Sequence, residues 1–319
     1  MVGTMRNFAL AILLVLAAAM TTCRGDEHQV EKFSVQMLSS RAVSGRWELA
    51  AERGLDRIAA ELEADVARMQ VEDPEDARAL LKGQRGSGVD LIFGVGAGIQ
   101  KILETEASAH PKTVFILLPG DHYAENVGGI QFLPEEAGYI AGAVAGALSS
   151  NRRVGLLRGE GQPWMEQLEE GFLAGFRSRQ RRTLVETAEG REGAKRLYEA
   201  GVKVALYACD VADSEVLGAA RETGLLLVGT DLALMEAQPE TVVAAVEVDV
   251  AEAMLRVARE VRDRNFAGRV FAFDLGSGVL DVGVSENLDP DVRAAAQAAL
   301  DEARSEVTAG LVEFDELGL

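Results

Sequence analysis

The chain has 319 residues, nearly half of them apolar and few aromatic, with 51 acidic against 32 basic side chains and a formal net charge of −19. That excess of carboxylate excludes nucleic acid and an anionic membrane surface as binding partners, because both are polyanions. Two cysteines and three scattered histidines (His28, His110, His122) offer neither a disulfide framework nor metal-ligand spacing. With no G-x-S-x-G elbow, P-loop or H-E-x-x-H, the chain reads as a non-enzyme without metal or cofactor.

Arg6 precedes an uninterrupted apolar run over 8–20. The run is shorter than the roughly 20 residues that span a bilayer. A charged start, a short apolar run and small residues after it read as a secretory signal. Two cleavage sites compete. Ala17-Ala18-Ala19 satisfies the small-x-small rule, while Met20-Thr21-Thr22-Cys23 resembles a bacterial lipobox. The second is preferred, since Cys23 falls where the apolar run ends. Lipidation of Cys23 places the protein on the extracytoplasmic face of the cell membrane, held by an acyl anchor and not by a span.

Short apolar runs then alternate with helical patterns, the mark of βαβ units and parallel sheets. A first strand is predicted over 33–38. A helix follows over 47–62, where Leu49, Leu55, Ile58, Ala59 and Leu62 fall at helical spacing. A second strand covers 65–70. Asp73-Pro74-Glu75-Asp76 starts a helix with acids in its first turn, running to Lys82 and stopping near Gly83. A buried strand over 89–95 leads into Gly94-Val95-Gly96-Ala97-Gly98, then a helix over 99–109 ended by His110-Pro111. Strands over 114–118 and 127–132 complete this series. The next series has a helix over 134–148, rich in Ala and Gly and suited to close packing, a strand over 153–157 and a helix over 164–179. Strands over 184–187, 204–207 and 225–228 follow with helices between them, then a strand over 242–248 and a helix over 250–264. Strands over 270–275 and 279–284 are expected to pair, with Gly276-Ser277-Gly278 as their turn, before a terminal helix over 290–309.

One hydrophobic core stops growing at about 250–300 residues, so two lobes are expected. They comprise 24–133 plus about 248–268, and 134–247 plus about 269–319. Three segments are expected to cross between them: Phe132 to Pro134, the stretch near Ala245 to Val248, and the stretch near Gly268 to Val270. Ligands of such sheets sit outside the carboxyl ends of the strands, which here face one another across a cleft.

Four stretches in order resemble the basic membrane protein family of bacterial ABC-transporter solute-binding lipoproteins, whose best-understood members bind nucleosides. They are Asp90-Leu91-Ile92-Phe93-Gly94-Val95-Gly96; Asn126-Val127 with Pro134-Glu135-Glu136-Ala137-Gly138-Tyr139-Ile140-Ala141-Gly142; Arg153-Val154-Gly155-Leu156-Leu157 with Gly171-Phe172-Leu173-Ala174-Gly175-Phe176; and Gly229-Thr230-Asp231. The resemblance implies a two-lobed, type I periplasmic-binding-protein-like α/β fold, each lobe a parallel sheet flanked by helices, with a three-segment hinge. It also implies a small-molecule ligand, an ABC permease as partner and a monomeric binding unit. The family's ligand residues carry over unevenly. Trp47 stands at the stacking aromatic, but Ser44 and Glu48 replace an Asp and an Asn. Pro119 replaces a strand-end Asp, with Asp121 two residues on. Leu168 replaces a second aromatic, with Trp164 one turn earlier. Asp231 matches the residue expected to hold ribose hydroxyls, while Ala245-Val246-Glu247-Val248-Asp249 lacks the expected Lys.

Each candidate has a plainer reading beside it. Trp47 can stack on a flat ligand or serve as a core or lobe-packing residue. Trp164 follows a turn-rich loop and is placed at the cleft, as large aromatics on loops often mark binding. Asp231 can grip hydroxyls or an amine, or cap the next helix. Asp121 and Tyr123 can border the ligand or form a surface loop. Tyr207, at a strand end, is expected to narrow the cleft. Cys209 reads as a small buried thiol, and Gly94, Gly96 and Gly98 as close strand-to-helix packing. Capture of a nucleoside-like or heterocyclic solute is the leading function. The alternative is a degenerate member of the fold serving as a sensory or interaction module.

Overall fold

A computed structural model describes residues 32–40, 46–159, 164–209 and 212–314. The signal and lipidation readings, Cys23 included, and Ser44 lie outside the described residues. The first half alternates β1 (Ser34–Ser40), α1 (Arg46–Leu62), β2 (Asp65–Val71), α2 (Pro74–Gly83), β3 (Leu91–Val95), α3 (Ala97–Glu106), β4 (Val114–Leu118) and β5 (Val127–Phe132). The second runs α4 (Glu135–Leu148), β6 (Arg153–Arg158), α5 (Trp164–Arg179), β7 (Leu184–Glu189), α6 (Gly190–Glu199), β8 (Val204–Ala208), α7 (Ser214–Thr223), β9 (Leu226–Gly229), α8 (Leu232–Ala237) and β10 (Val242–Val248). α9 (Val250–Arg262), β11 (Val270–Phe273), β12 (Leu280–Val284) and α10 (Pro290–Thr308) close the described chain.

Local chemistry explains these boundaries. Asp73, Asp213, Asp231, Asp249 and Asp289 each accept a backbone N–H from the first turn of the helix they precede. Pro74 and Pro290 occupy first-turn positions where no N–H is needed. β3 and β8 are buried on both faces, as central strands covered by helices must be, whereas β2 and β7 are largely exposed.

Two six-stranded sheets result, ordered β11-β5-β4-β3-β1-β2 and β12-β10-β9-β8-β6-β7. The first is parallel throughout, and the second is parallel except for β12, which runs antiparallel to β10. Helices cover both faces of each. Val35 and Met37 of β1 join the core under α1 and α9, while Leu38 points to α2 and α3. In β8, Leu206 faces the layer of α4, α5 and α10, while Ala205 and Tyr207 face α6 and α7.

The late strand pair expected at 270–284 does not form. β11 pairs with β5 in the first sheet and β12 with β10 in the second. Leu275–Ser277 form a single 3₁₀ turn, capped by Asp274 and closed by Gly278 in the left-handed region. It carries the chain between lobes. The third crossing therefore follows Phe273, and the segment from Gly268 stays with the first lobe. There Gly268 lies so close to the Ala124 carbonyl that a Cβ would collide. The crossings are stitched together: Leu133 N–H donates to the Phe273 carbonyl and Asp249 N–H to that of Val279, both at 2.8 Å.

Candidate functional site

The carboxyl ends of the two sheets approach one another, and a pocket lies between them. Trp47, Ala50 and Arg53 of α1 line one side; Thr230 and Asp231 after β9 line the other; Glu247, Val248 and Val250 close it. Its volume is about 50 Å³. A water occupies roughly 10–15 Å³ by such a measure, whereas small-molecule sites run to about 300–1,000 Å³. The pocket lined by these described residues is polar, as expected, and holds a few water-sized volumes.

Trp47 packs in the core of its own lobe and borders the pocket. It lines the pocket, yet is only 3 % exposed, with its indole tilted on Phe132 at 5.2 Å. Phe132 in turn stacks on Phe273 at 6.2 Å. Glu48, beside Trp47, is engaged within the first lobe: its Oε1 accepts from Ser39 Oγ at 2.7 Å and from Gln70 Nε2 at 3.0 Å.

Asp231 caps a helix and also borders the pocket. Its Oδ1 accepts the Ala233 N–H at 2.8 Å, capping α8, and the residue lines the pocket. Thr230 Oγ1 donates to the Cys209 carbonyl at 2.9 Å, joining the ends of β9 and β8. Cys209 is buried.

Two charged pocket residues, Arg53 and Glu247, are not among the ligand candidates read from the sequence. Arg53 lies on α1 in an i, i+3 series with Trp47 and Ala50, a helical spacing that marks a shared face. Glu247 is the penultimate residue of β10, within the stretch 245–249 that lacks the Lys the resemblance leads one to expect. Burial pushes its carboxyl above the usual range; Asp249, Asp231 and Asp281 push the same way and Arg53 opposes.

The remaining candidates do not converge on the pocket. Tyr207 is 1 % exposed and packs in the core beneath α6 and α7, where its Oη accepts the Asp213 N–H at 2.9 Å. Strand alternation turns its ring sideways into the helix layer, so it does not narrow the cleft. Asp121 lies beyond β4 in an exposed loop with Tyr123 and does not line the pocket. Trp164 opens α5, but its side chain lies outside the described residues. Glu135 and Glu136 sit in the first turn of α4, both with carboxyls raised chiefly by burial. Gly94 packs against Leu103 of α3, in line with close strand-to-helix packing.

Among the described residues, no group of three or more His, Cys, Asp or Glu is arranged to hold a metal ion, and no helix is long and apolar enough to cross a membrane.

Comparison with known proteins places this geometry. Residues 39–311 match the family described as ABC transporter substrate-binding protein PnrA-like. A CD4+ T-cell-stimulating antigen of Listeria innocua is 24% identical over 64% of this chain and 64% of its own length. Basic membrane protein A of Borreliella burgdorferi is 21% identical over 63% of this chain and 64% of its own. The chain thus spans just under two thirds of these relatives. An ABC transporter nucleoside-binding protein, BmpA of Lactococcus lactis, is 27% identical over 28% of this chain and 26% of its own. Among solved structures, a transcriptional activator of the comK gene from Bacillus halodurans superposes with TM-score 0.74 at 22% identity, covering 87% of this chain and 98% of that one. An ABC transporter solute-binding protein from Aeropyrum pernix gives TM-score 0.70 at 19% identity, covering 88% and 92%. These likenesses establish the type I periplasmic-binding-protein-like fold.

Proposed function

The chain belongs to the PnrA-like, or basic membrane protein, family of ABC transporter substrate-binding proteins, a solute-binding and not an enzymatic family, and from that premise we propose that it is an extracytoplasmic lipoprotein that captures a small nucleoside-like or heterocyclic solute between its lobes. The observation that carries this reading is the pocket itself. It brings Trp47 of one lobe against Thr230, Asp231 and Glu247 at the strand ends of the other. An aromatic wall with a few directed polar groups is the usual recipe for gripping a flat, polar molecule. At about 50 Å³ the pocket admits such a ligand only when the lobes part. Hinge opening, entry and reclosure therefore form the working cycle, and ligand biases the closed state. The closed form docks on an ABC permease, and acylation at Cys23 is the membrane tether.

The test is thermal unfolding with adenosine, guanosine, uridine and their free bases. Ligand at a hundred times its dissociation constant stabilises by about 2.7 kcal/mol, which raises the melting temperature by roughly 4 °C for a chain of this size. No shift with any member of the panel removes the nucleoside reading.

A second reading has its own support. Glu48 is taken up by Ser39 and Gln70, the stretch 245–249 lacks the expected Lys, and the pocket is small. These features suit a sensory or interaction module that keeps the fold without transport. Permease and ATPase genes beside this one favour uptake; an isolated locus or a neighbouring kinase favours sensing.

A further inference from the structure

Two phenylalanines stand where the chain leaves the first sheet. Phe132 is the last residue of β5 and Phe273 the last of β11, and the two are register partners on adjacent parallel strands. Their rings stack at 6.2 Å. The first crossing begins at Leu133 and the third at Asp274, and the Leu133 N–H donates to the Phe273 carbonyl at 2.8 Å. Trp47 lies on this pair, its ring centroid 5.2 Å from that of Phe132. All three rings are nearly buried. A continuous aromatic stack thus runs from the pocket wall to both strand ends that feed the hinge.

We propose that Phe132 and Phe273 are positioning residues that tie the place of the Trp47 indole in the pocket to the hinge angle. Lobe rotation is absorbed by backbone torsions at a few element-terminal residues, here those immediately following the two phenylalanines. Turning a strand end turns its ring. In a close-packed core a ring cannot slide freely, so its neighbour must take a new seat. The start of α1 cannot follow, because Glu48 is held by Ser39 and Gln70. Further along, Gly54 packs against Met254 of α9. The response therefore falls on the torsions of the indole itself. Coupling is reciprocal: a solute that engages Trp47 changes the preferred hinge angle. That last consequence rests on the solute-binding reading above, whereas the coupling needs no solute.

The chain has two tryptophans, so Trp164→Phe makes Trp47 the sole fluorescent indole. In the full chain on this background, Phe132→Leu and Phe273→Leu should each raise acrylamide quenching of Trp47 about twofold and speed amide exchange over 133–136 and 274–279 about tenfold. Trp47→Phe should speed hinge exchange from the other end. Phe271→Leu is the control for loss of a packed ring, since Phe271 stacks on Phe266 at 6.3 Å in the same lobe; it should move neither reading. A loosened indole with unchanged hinge exchange, or faster hinge exchange with an unchanged indole, overturns the coupling. If a leucine variant loses its cooperative melt, Trp47→Phe decides alone: hinge exchange matching the unaltered protein sinks the idea. No ligand enters these measurements, so a flat response to solutes would remove the capture reading and leave this result standing.

Discussion

Glu247 is the most exacting residue in the pocket. Burial raises its carboxyl, the charges of Asp249, Asp231 and Asp281 raise it further, and that of Arg53 opposes them. A carboxyl that is harder to ionise in the folded chain than in the unfolded one contributes its full share of stability at pH values below the unfolded carboxylate range. That share is lost as pH rises through the raised folded value. Glu247→Gln removes the charge and keeps the shape. The variant should therefore melt above the unaltered protein at pH 7, with the difference shrinking toward pH 4; a variant that melts lower at pH 7 contradicts this. Trp47 and Asp231 were legible in the sequence because each stands at an element end on the carboxyl side of a predicted strand. Arg53 and Glu247 were not, because only the meeting of α1 with β10 across the crossings makes them neighbours. Tyr207 misled for a different reason. Every residue of β8 is buried, so alternation of polarity gave no sign of which face its ring would take.

At the scale of elements, glycine decides how closely helices approach. A Cβ on Gly142 of α4 would run into the Phe172 carbonyl of α5, and one on Gly175 of α5 into the Tyr139 carbonyl of α4. The two helices therefore pack backbone to backbone, which the Ala and Gly content of 134–148 foreshadowed. Gly142→Val should destabilise by about 2–4 kcal/mol in urea unfolding, since neither backbone can yield. Gly218, within α7, has open space where its Cβ would be. Gly218→Ala should instead stabilise by about 0.5–1 kcal/mol, because alanine forfeits less chain entropy in a helix. Equal effects at the two sites would mean that helix propensity, and not packing, governs both. Element order and type were readable almost throughout, because apolar period and turn residues act locally. The pairing of 270–275 with 279–284 was not. Gly276-Ser277-Gly278 has the same turn chemistry whether two strands return on each other or part to different sheets, and only the empty edges beside β5 and β10 distinguish the cases.

For the whole molecule, the decisive fact is that neither lobe is continuous in sequence. The first sheet receives its edge strand β11 from 270–273, and α1 is covered by α9. Arg57 of α1 meets Glu252 of α9 at 2.8 Å, and Arg259 of α9 meets Glu61 of α1 at 2.5 Å. These pairs are partly exposed and add little each. The apolar burial beneath them, Leu55 and Ile58 against Met254 and Leu255, contributes more to holding the two helices together. A fragment of residues 32–133 keeps five strands yet leaves that apolar face of α1 open to water and β5 without its outer neighbour β11. It should show strand and helix signals without a cooperative melt, and bind hydrophobic dye. A single chain joining 32–133 to 249–273 restores both missing pieces and should melt cooperatively. If 32–133 alone melts cooperatively, the returning segments are dispensable decoration. If only the joined chain does, the first lobe depends on chain that has already crossed the hinge, and its side of the cleft is set by the same residues that complete its core.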